Sequence, residues 1–201
     1  MTAVTPATGM PLRLPAAVTN PRPLVIGLDV ALVTTGVAGP GWTDVIRTGN
    51  RRGEQRLLCL VETAASFYRA ADFVVIEGAA YSKANQAGHD ELAAARWMVR
   101  CDLIKRGIPF AVVTPHARSV YATGKARWEG ETSREVKGRV RDAVALRYGI
   151  DCTGPRRYDE ADAYVLMAMG MDHLGHALAA VPDSHTRALA GVSWPDSLEV
   201  A

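Results

Sequence analysis

The sequence predicts an α/β domain built around one buried sheet, part antiparallel and part parallel. Three observations support this. The runs "LVIGLD" (24–29), "FVVIE" (73–77) and "IPFAVV" (108–113) have the continuous apolar, branched character of strands covered on both faces. Between and after the last two lie longer segments whose apolar residues recur at helical spacing. The first run is followed by two more β-rich pieces joined by "GPG" at Gly39 to Gly41, a tight turn that suggests an antiparallel meander.

Taken in order, Leu24 to Asp29 is a strand that stops at an acid. Thr34 to Ala38 and Trp42 to Arg47 complete the meander. From Glu54 to Ala71, the residues Leu57, Leu58, Leu60, Val61, Ala64, Ala65 and Tyr68 mark the first helix. The strand over 73–77 again ends on an acid, Glu77, with Gly78 beyond it. A second helix spans His89 to Arg106 and closes on Gly107, a helix-ending glycine. The strand in "IPFAVVTP" ends before Pro115. Ser133 is the expected N-cap of a helix carrying Val136, Val140, Ala143, Val144 and Leu146 on one side, and a last helix runs from Asp159 to Leu174. The order is three strands, helix, strand, helix, strand, then helices.

At 201 residues, with 48% apolar and 22% charged side chains, the chain suits one domain with a substantial core. Residues 1–22, rich in Pro, Thr and Ala, read as a disordered arm without the features of a secretion signal. Residues 23–176 form the expected domain, and 177–201 a tail that is at most partly ordered. The first apolar run is too short and too interrupted to span a membrane. A formal charge of +2 means that binding to a polyanion must come from local clustering. Cys59, Cys101 and Cys152 are far apart and odd in number, which suits a reducing compartment and a cytoplasmic location.

The acids carry the chemistry. Side chains at strand ends face the crevice outside the carboxyl edge of an α/β sheet, where Asp29 and Glu77 both belong. Asp159 and Asp162 are three residues apart in the last helix, so they project in similar directions. Acids at a helix start also favour the macrodipole, which accounts for Asp159 or Glu160, taken alone, better than ligation does. Asp162, followed by "AYVLMAM", falls on the buried side. Four converging carboxylates would repel one another unless neutralised, and magnesium or manganese accepts oxygen ligands while retaining open water positions.

This combination resembles the RNase H-like superfamily and, within it, the RuvC-type Holliday-junction resolvases. The resemblance covers roughly Leu24 to Leu174 and rests on "VIGLDVALVTTGVA", "FVVIEGAAYSKANQAG", "IPFAVVTPHARSVYATGK" and "YDEADAYVL". It implies a mixed five-stranded sheet, three antiparallel strands then parallel ones, flanked by helices. It also implies that Asp29, Glu77, Asp159 and Asp162 hold two magnesium ions, replaceable by manganese, as catalytic and metal-binding residues. Val30-Ala31 stands where the family commonly has a Pro-Gly turn. The family's loop after the second acid carries an aromatic residue that enters the junction centre, for which Tyr81 is the candidate.

Residues 118–157 hold an excess of Lys and Arg, which suits a phosphate-binding face. The resemblance assigns phosphate contacts to Lys125 and Lys137, with Lys83 and Arg118 as further nucleic-acid contacts. Trp128 suits base stacking or local packing. His173 and His176 share a helical face without a third metal ligand nearby, and no phosphate-cradling loop for a nucleotide cofactor occurs. The implied activity is a structure-selective endonuclease. It would cut four-way DNA junctions, leaving a 5′-phosphate and a 3′-hydroxyl, in a bacterial or bacteriophage-infected cell. The implied partner is branched DNA and no membrane. Paired cuts imply a homodimer, with Leu92, Trp97 and Met98 at the interface. The alternatives are cleavage of other branched DNA or of RNA–DNA hybrids, and a non-catalytic DNA-binding protein of the same fold.

Overall fold

The computed structural model describes residues 22–79 and 88–195. Tyr81, Lys83 and nearly all of the expected N-terminal arm lie outside the described residues. Five strands form one sheet: β1 (Val25–Asp29), β2 (Thr34–Gly39), β3 (Trp42–Arg47), β4 (Phe73–Glu77) and β5 (Phe110–Val113). Their order is β3-β2-β1-β4-β5. β1 pairs antiparallel with β2, and β2 with β3, while β1 with β4 and β4 with β5 are parallel. Gly41, with φ 86°, supplies the left-handed residue in the turn between β2 and β3.

Helices cover both faces. On one side lie α1 (Gly53–Tyr68) and α2 (His89–Arg106), packed on Ile26, Leu28, Val37, Val74 and Ile76. On the other lie α3 (Pro115–Thr123), α4 (Ser133–Tyr148) and α5 (Arg157–His173), packed on Val25, Ala38, Phe73, Val75 and Val113. Side chains alternate faces along a strand, so Val25, Gly27 and Asp29 point one way, and Phe73, Val75 and Glu77 point the same way. Both strand-end acids therefore face α5.

The helix that receives them is unusual. From Ala161 to Met171 every residue of α5 is buried, because the helix is sunk between sheet and outer helices and has no solvent face. It lies close to the sheet because the strands present glycines beneath it. A Cβ on Gly27 would fall 2.1 Å from the Ala163 carbonyl oxygen, and one on Gly36 only 2.0 Å from that of Asp159.

Local details differ from the sequence expectation at several element ends, such as α5, which runs Arg157–His173 rather than Asp159 to Leu174, and three differences are informative. The first helix ends at Tyr68 rather than Ala71. The cap of α4 is Thr132, not Ser133: its hydroxyl accepts from the Glu135 N–H while the Glu135 carboxylate accepts from the Thr132 N–H, a reciprocal capping box. The stretch after Pro115, expected only as the exit from a strand, is the helix α3. Thr114 caps it by accepting from Ala117 N at 3.1 Å, and Pro115 occupies its first turn with φ already set.

Packing extends past residue 176. A short helix α6 (Asp183–Thr186) and a 3-10 turn over Arg187–Gly191 follow. Leu178, Val181, Leu189, Val192 and Trp194 pack against the α5-side core. Trp194 also stacks on His173 with ring centroids 4.1 Å apart, which gives that histidine a packing role.

Candidate active site

Asp29 and Glu77 end neighbouring parallel strands. The register Leu28↔Ile76 places them side by side, at the carboxyl edge where β1 and β4 meet. Across the other edge of β1, Asp29 is paired with Gly36. Because Gly36 has no side chain, the head of α5 rests there and brings Asp159 and, one turn on, Asp162 over the two strand ends. All four carboxylates line one cleft, together with Arg118 and Lys137. The set expected from the sequence is thus brought together.

The cluster has a buried end and an exposed end. Asp162 is 1% exposed, and Asp29 and Glu77 are also buried, whereas Asp159 is half-buried. Arg118 reaches in from α3 and ion-pairs with Glu77 and, at 2.8 Å, with Asp162 Oδ2. Lys137 of α4 approaches from the open side, its Nζ 3.9 Å from both Asp159 Oδ1 and Asp162 Oδ2. Of the expected DNA contacts, Lys137 lies in the cleft. Lys125 stands outside it on the exposed loop after α3, its ammonium 5.7 Å from the Trp128 ring centroid. Arg118 is redirected: only 6% exposed, it lies within the carboxylate cluster rather than on the outer basic face.

Trp128 is held locally. The Arg139 guanidinium lies 3.6 Å from its ring centroid and is fixed in turn by Glu131 through two hydrogen bonds of 2.5 and 2.7 Å. Of the three residues expected at a dimer interface, only Trp97 is strongly exposed, at 62%. Leu92 lines the cleft and Met98 packs on the core beneath α2.

Two cleft residues were not singled out from the sequence. Arg96 and His89 of α2 line the same wall as Leu92, at positions sharing one helical face, and that spacing was the available signal. Among the described residues the Arg96 Nε is buried without a hydrogen-bond partner. Arg127 lines the cleft opposite, beyond α3.

The electrostatics suit a cation. Burial, followed by the Asp29 charge, holds Glu77 well above the usual carboxylate range, with Arg118 acting in the opposite sense. Burial pushes Asp162 from the ordinary 3.8 to about 7, again opposed by Arg118, and burial also raises Asp159. Both Asp162 oxygens are buried and accept no aligned hydrogen bond among the described residues. Oδ2 still faces the Arg118 cation, but Oδ1 has no partner among those residues, and a buried acceptor left so is rare unless something else satisfies it, as a hard divalent cation would. Among the described residues no three acid, His or Cys side chains are already drawn together as a finished ligand set. Arg118 accounts for part of this, since it occupies the space between Glu77 and Asp162.

A raised carboxyl keeps its proton in the folded chain at a pH where the unfolded chain has lost it. Stability of the metal-free protein therefore falls as pH rises from about 4 through about 7. Thermal melts in EDTA should show this fall in the parent and a smaller one in Asp162→Asn, with added magnesium raising the parent's Tm most above pH 7. Equal slopes in parent and variant would contradict the assignment.

No protein-family model matches the chain, and no curated protein matches it in sequence. In structure it is similar to RuvC of Thermus thermophilus, with a TM-score of 0.51, 18% identity, and coverage of 78% of this chain and 99% of that one. It is similar also to T. thermophilus RuvC in complex with a Holliday-junction substrate, with a TM-score of 0.53, 18% identity, and coverage of 79% and 99%. No helix among the described residues is long and apolar enough to cross a membrane. The strand order, the mixed pairing and these likenesses together identify the architecture: the chain carries the RNase H-like fold of RuvC, a five-stranded mixed sheet between two helical layers.

Proposed function

We propose that this protein is a magnesium-dependent endonuclease acting on branched DNA, with the four-way junction as its substrate. The single observation that carries the proposal is the convergence of Asp29, Glu77, Asp159 and Asp162 at the sheet's carboxyl edge, in a cleft rimmed by Arg96, Arg127 and Lys137. The acids would hold magnesium, or manganese in its place. When bound, the metal supplies an activated water for in-line attack and neutralises charge at the scissile phosphate, leaving a 5′-phosphate and a 3′-hydroxyl.

The chain's own residues do the rest. β1, β4 and α5 are rigid elements, so they fix the carboxylates without loop motion. Lys137, partly exposed at the open end, neutralises a phosphate oxygen entering beside Asp159. Arg96 and Arg127 hold flanking phosphates of the strand on the two walls, contacts that would be sequence-independent and salt-sensitive. Resolution of a junction takes two matched cuts, hence two copies of the chain. Trp97 and Ile104, 62% and 68% exposed, are apolar side chains of α2 available to such a pairing.

The test is a cleavage assay on a synthetic four-way junction beside a matched duplex, a flap and an RNA–DNA hybrid, each with magnesium and with EDTA. Magnesium-dependent paired nicks in the junction are expected. Preferential cutting of the hybrid or the flap would reassign the substrate, and binding without cutting would reduce the protein to a DNA-binding module.

A further inference from the structure

Arg118 is the feature that the four-carboxylate scheme does not use. Its guanidinium lies between Glu77 and Asp162, touching both. Nor is it a loose surface chain that has folded inward. The residue is buried, its N–H donates to the Thr114 carbonyl at 3.0 Å in the first turn of α3, and the helix is anchored beyond it by buried Val120 and Tyr121. The Tyr121 hydroxyl donates to Asp172 Oδ2 of α5 at 3.0 Å. The cation is therefore built into the helix pair that forms the site. Burial alone would work against its charge, but Asp162, Glu77 and Asp29 more than offset this and keep it protonated.

A fixed guanidinium changes the charge balance. Arg118 already supplies a positive charge at the Glu77 and Asp162 oxygens, so a second divalent ion there would have less negative charge to satisfy than the carboxylates alone would offer. A second ion between Glu77 and Asp162 would also have to share its space with the guanidinium. Arg118 engages Glu77 Oε1 and Asp162 Oδ2, and makes no ion pair with Asp29, Asp159, Asp162 Oδ1 or the second Glu77 oxygen.

We propose that the site takes a single divalent cation, held by Asp29, Asp159 and Asp162, and that Arg118 supplies the second positive charge by holding Glu77 and Asp162 in place. Arg118 is thus a positioning residue whose charge replaces an ion. This rests on the carboxylate cluster being a metal site.

The experiment counts bound Mn2+ per chain by electron paramagnetic resonance on the full-length protein, alone and saturated with a four-way junction, after subtracting Mn2+ bound by the DNA. The parent is expected to bind one ion in both conditions. Arg118→Lys, which keeps the charge, should also bind one, and Arg118→Ala should bind two. Two ions in the junction-bound parent would overturn the proposal while leaving the metal site intact. One ion in a folded Arg118→Ala would remove Arg118 from the account. No bound Mn2+ in the parent would sink the metal site itself. If Arg118→Ala fails to fold by circular dichroism, the junction-bound parent count decides alone.

Discussion

Asp162→Asn is expected to abolish magnesium-dependent cleavage while leaving the fold in place. The substitution keeps the shape of the side chain and removes a buried charge whose burial outweighs what the Arg118 ion pair returns, as its raised pKa shows. Folding should tolerate it well, since it relieves carboxylate repulsion at neutral pH. Cleavage should not, because a metal ion in such a site contributes several kcal/mol to the transition state, so a fall in kcat of about a thousandfold or more follows if the ion is lost or misplaced. The control is DNA affinity in calcium or EDTA, which should change little. A variant that cuts at the parent's rate would show that Asp162 has no part in the chemistry.

The second large effect is structural. Gly36→Val should damage the protein more than its position on a strand beside the turn suggests. The added Cβ would stand 2.0 Å from the Asp159 carbonyl oxygen and 2.6 Å from its carbonyl carbon. These are backbone atoms of a buried helix and cannot step aside as a flexible side chain would. Overpacking of a core costs about 1–3 kcal/mol and sometimes more, and for a domain of this size each kcal/mol lowers Tm by roughly 2–4 °C. A loss of about 10 °C is the expected result. Moving the head of α5 away from β1 would also separate Asp159 and Asp162 from Asp29, so activity should fall even at temperatures where the variant is folded. Gly27→Val, which would meet Ala163 O at 2.1 Å and Met167 N at 2.6 Å, tests the same contact one turn further along. A variant with parent-like Tm and activity at either position would mean that the helix is not seated on the strands as described.

These expectations differ in how far they could be read from the chain alone. Asp29 and Glu77 were legible because each ends a short apolar run, and the period-2 alternation of strands does not depend on distant residues. Asp159 and Asp162 were legible as a pair from their spacing on one helix. The reason α5 lies so near the sheet was not legible. Gly27 and Gly36 look in sequence like weak points in strands, and only the approach of a helix from over a hundred residues away gives them a purpose.

Apart from α3 and the short helical turns after residue 176, sequence by itself determined the order and type of the elements, the strand-end acids and the D-x-x-D helix, because hydrophobic periodicity and turn chemistry are local properties. Tertiary structure alone decided which cations meet those acids. Arg118, read in sequence as one more basic residue near a phosphate-binding stretch, is instead enclosed by Glu77 and Asp162. Helix α3 is only nine residues long, and its capping by Thr114 and Pro115 turns the Arg118 side chain under the carboxylates rather than out to solvent. Arg96 lines the cleft because Ala95, Val99 and Leu103 seat α2 in the core beside α1, which leaves the adjoining Arg96 at the cleft wall. A side chain's partners across elements depend on packing angles and close approaches, which no local pattern records.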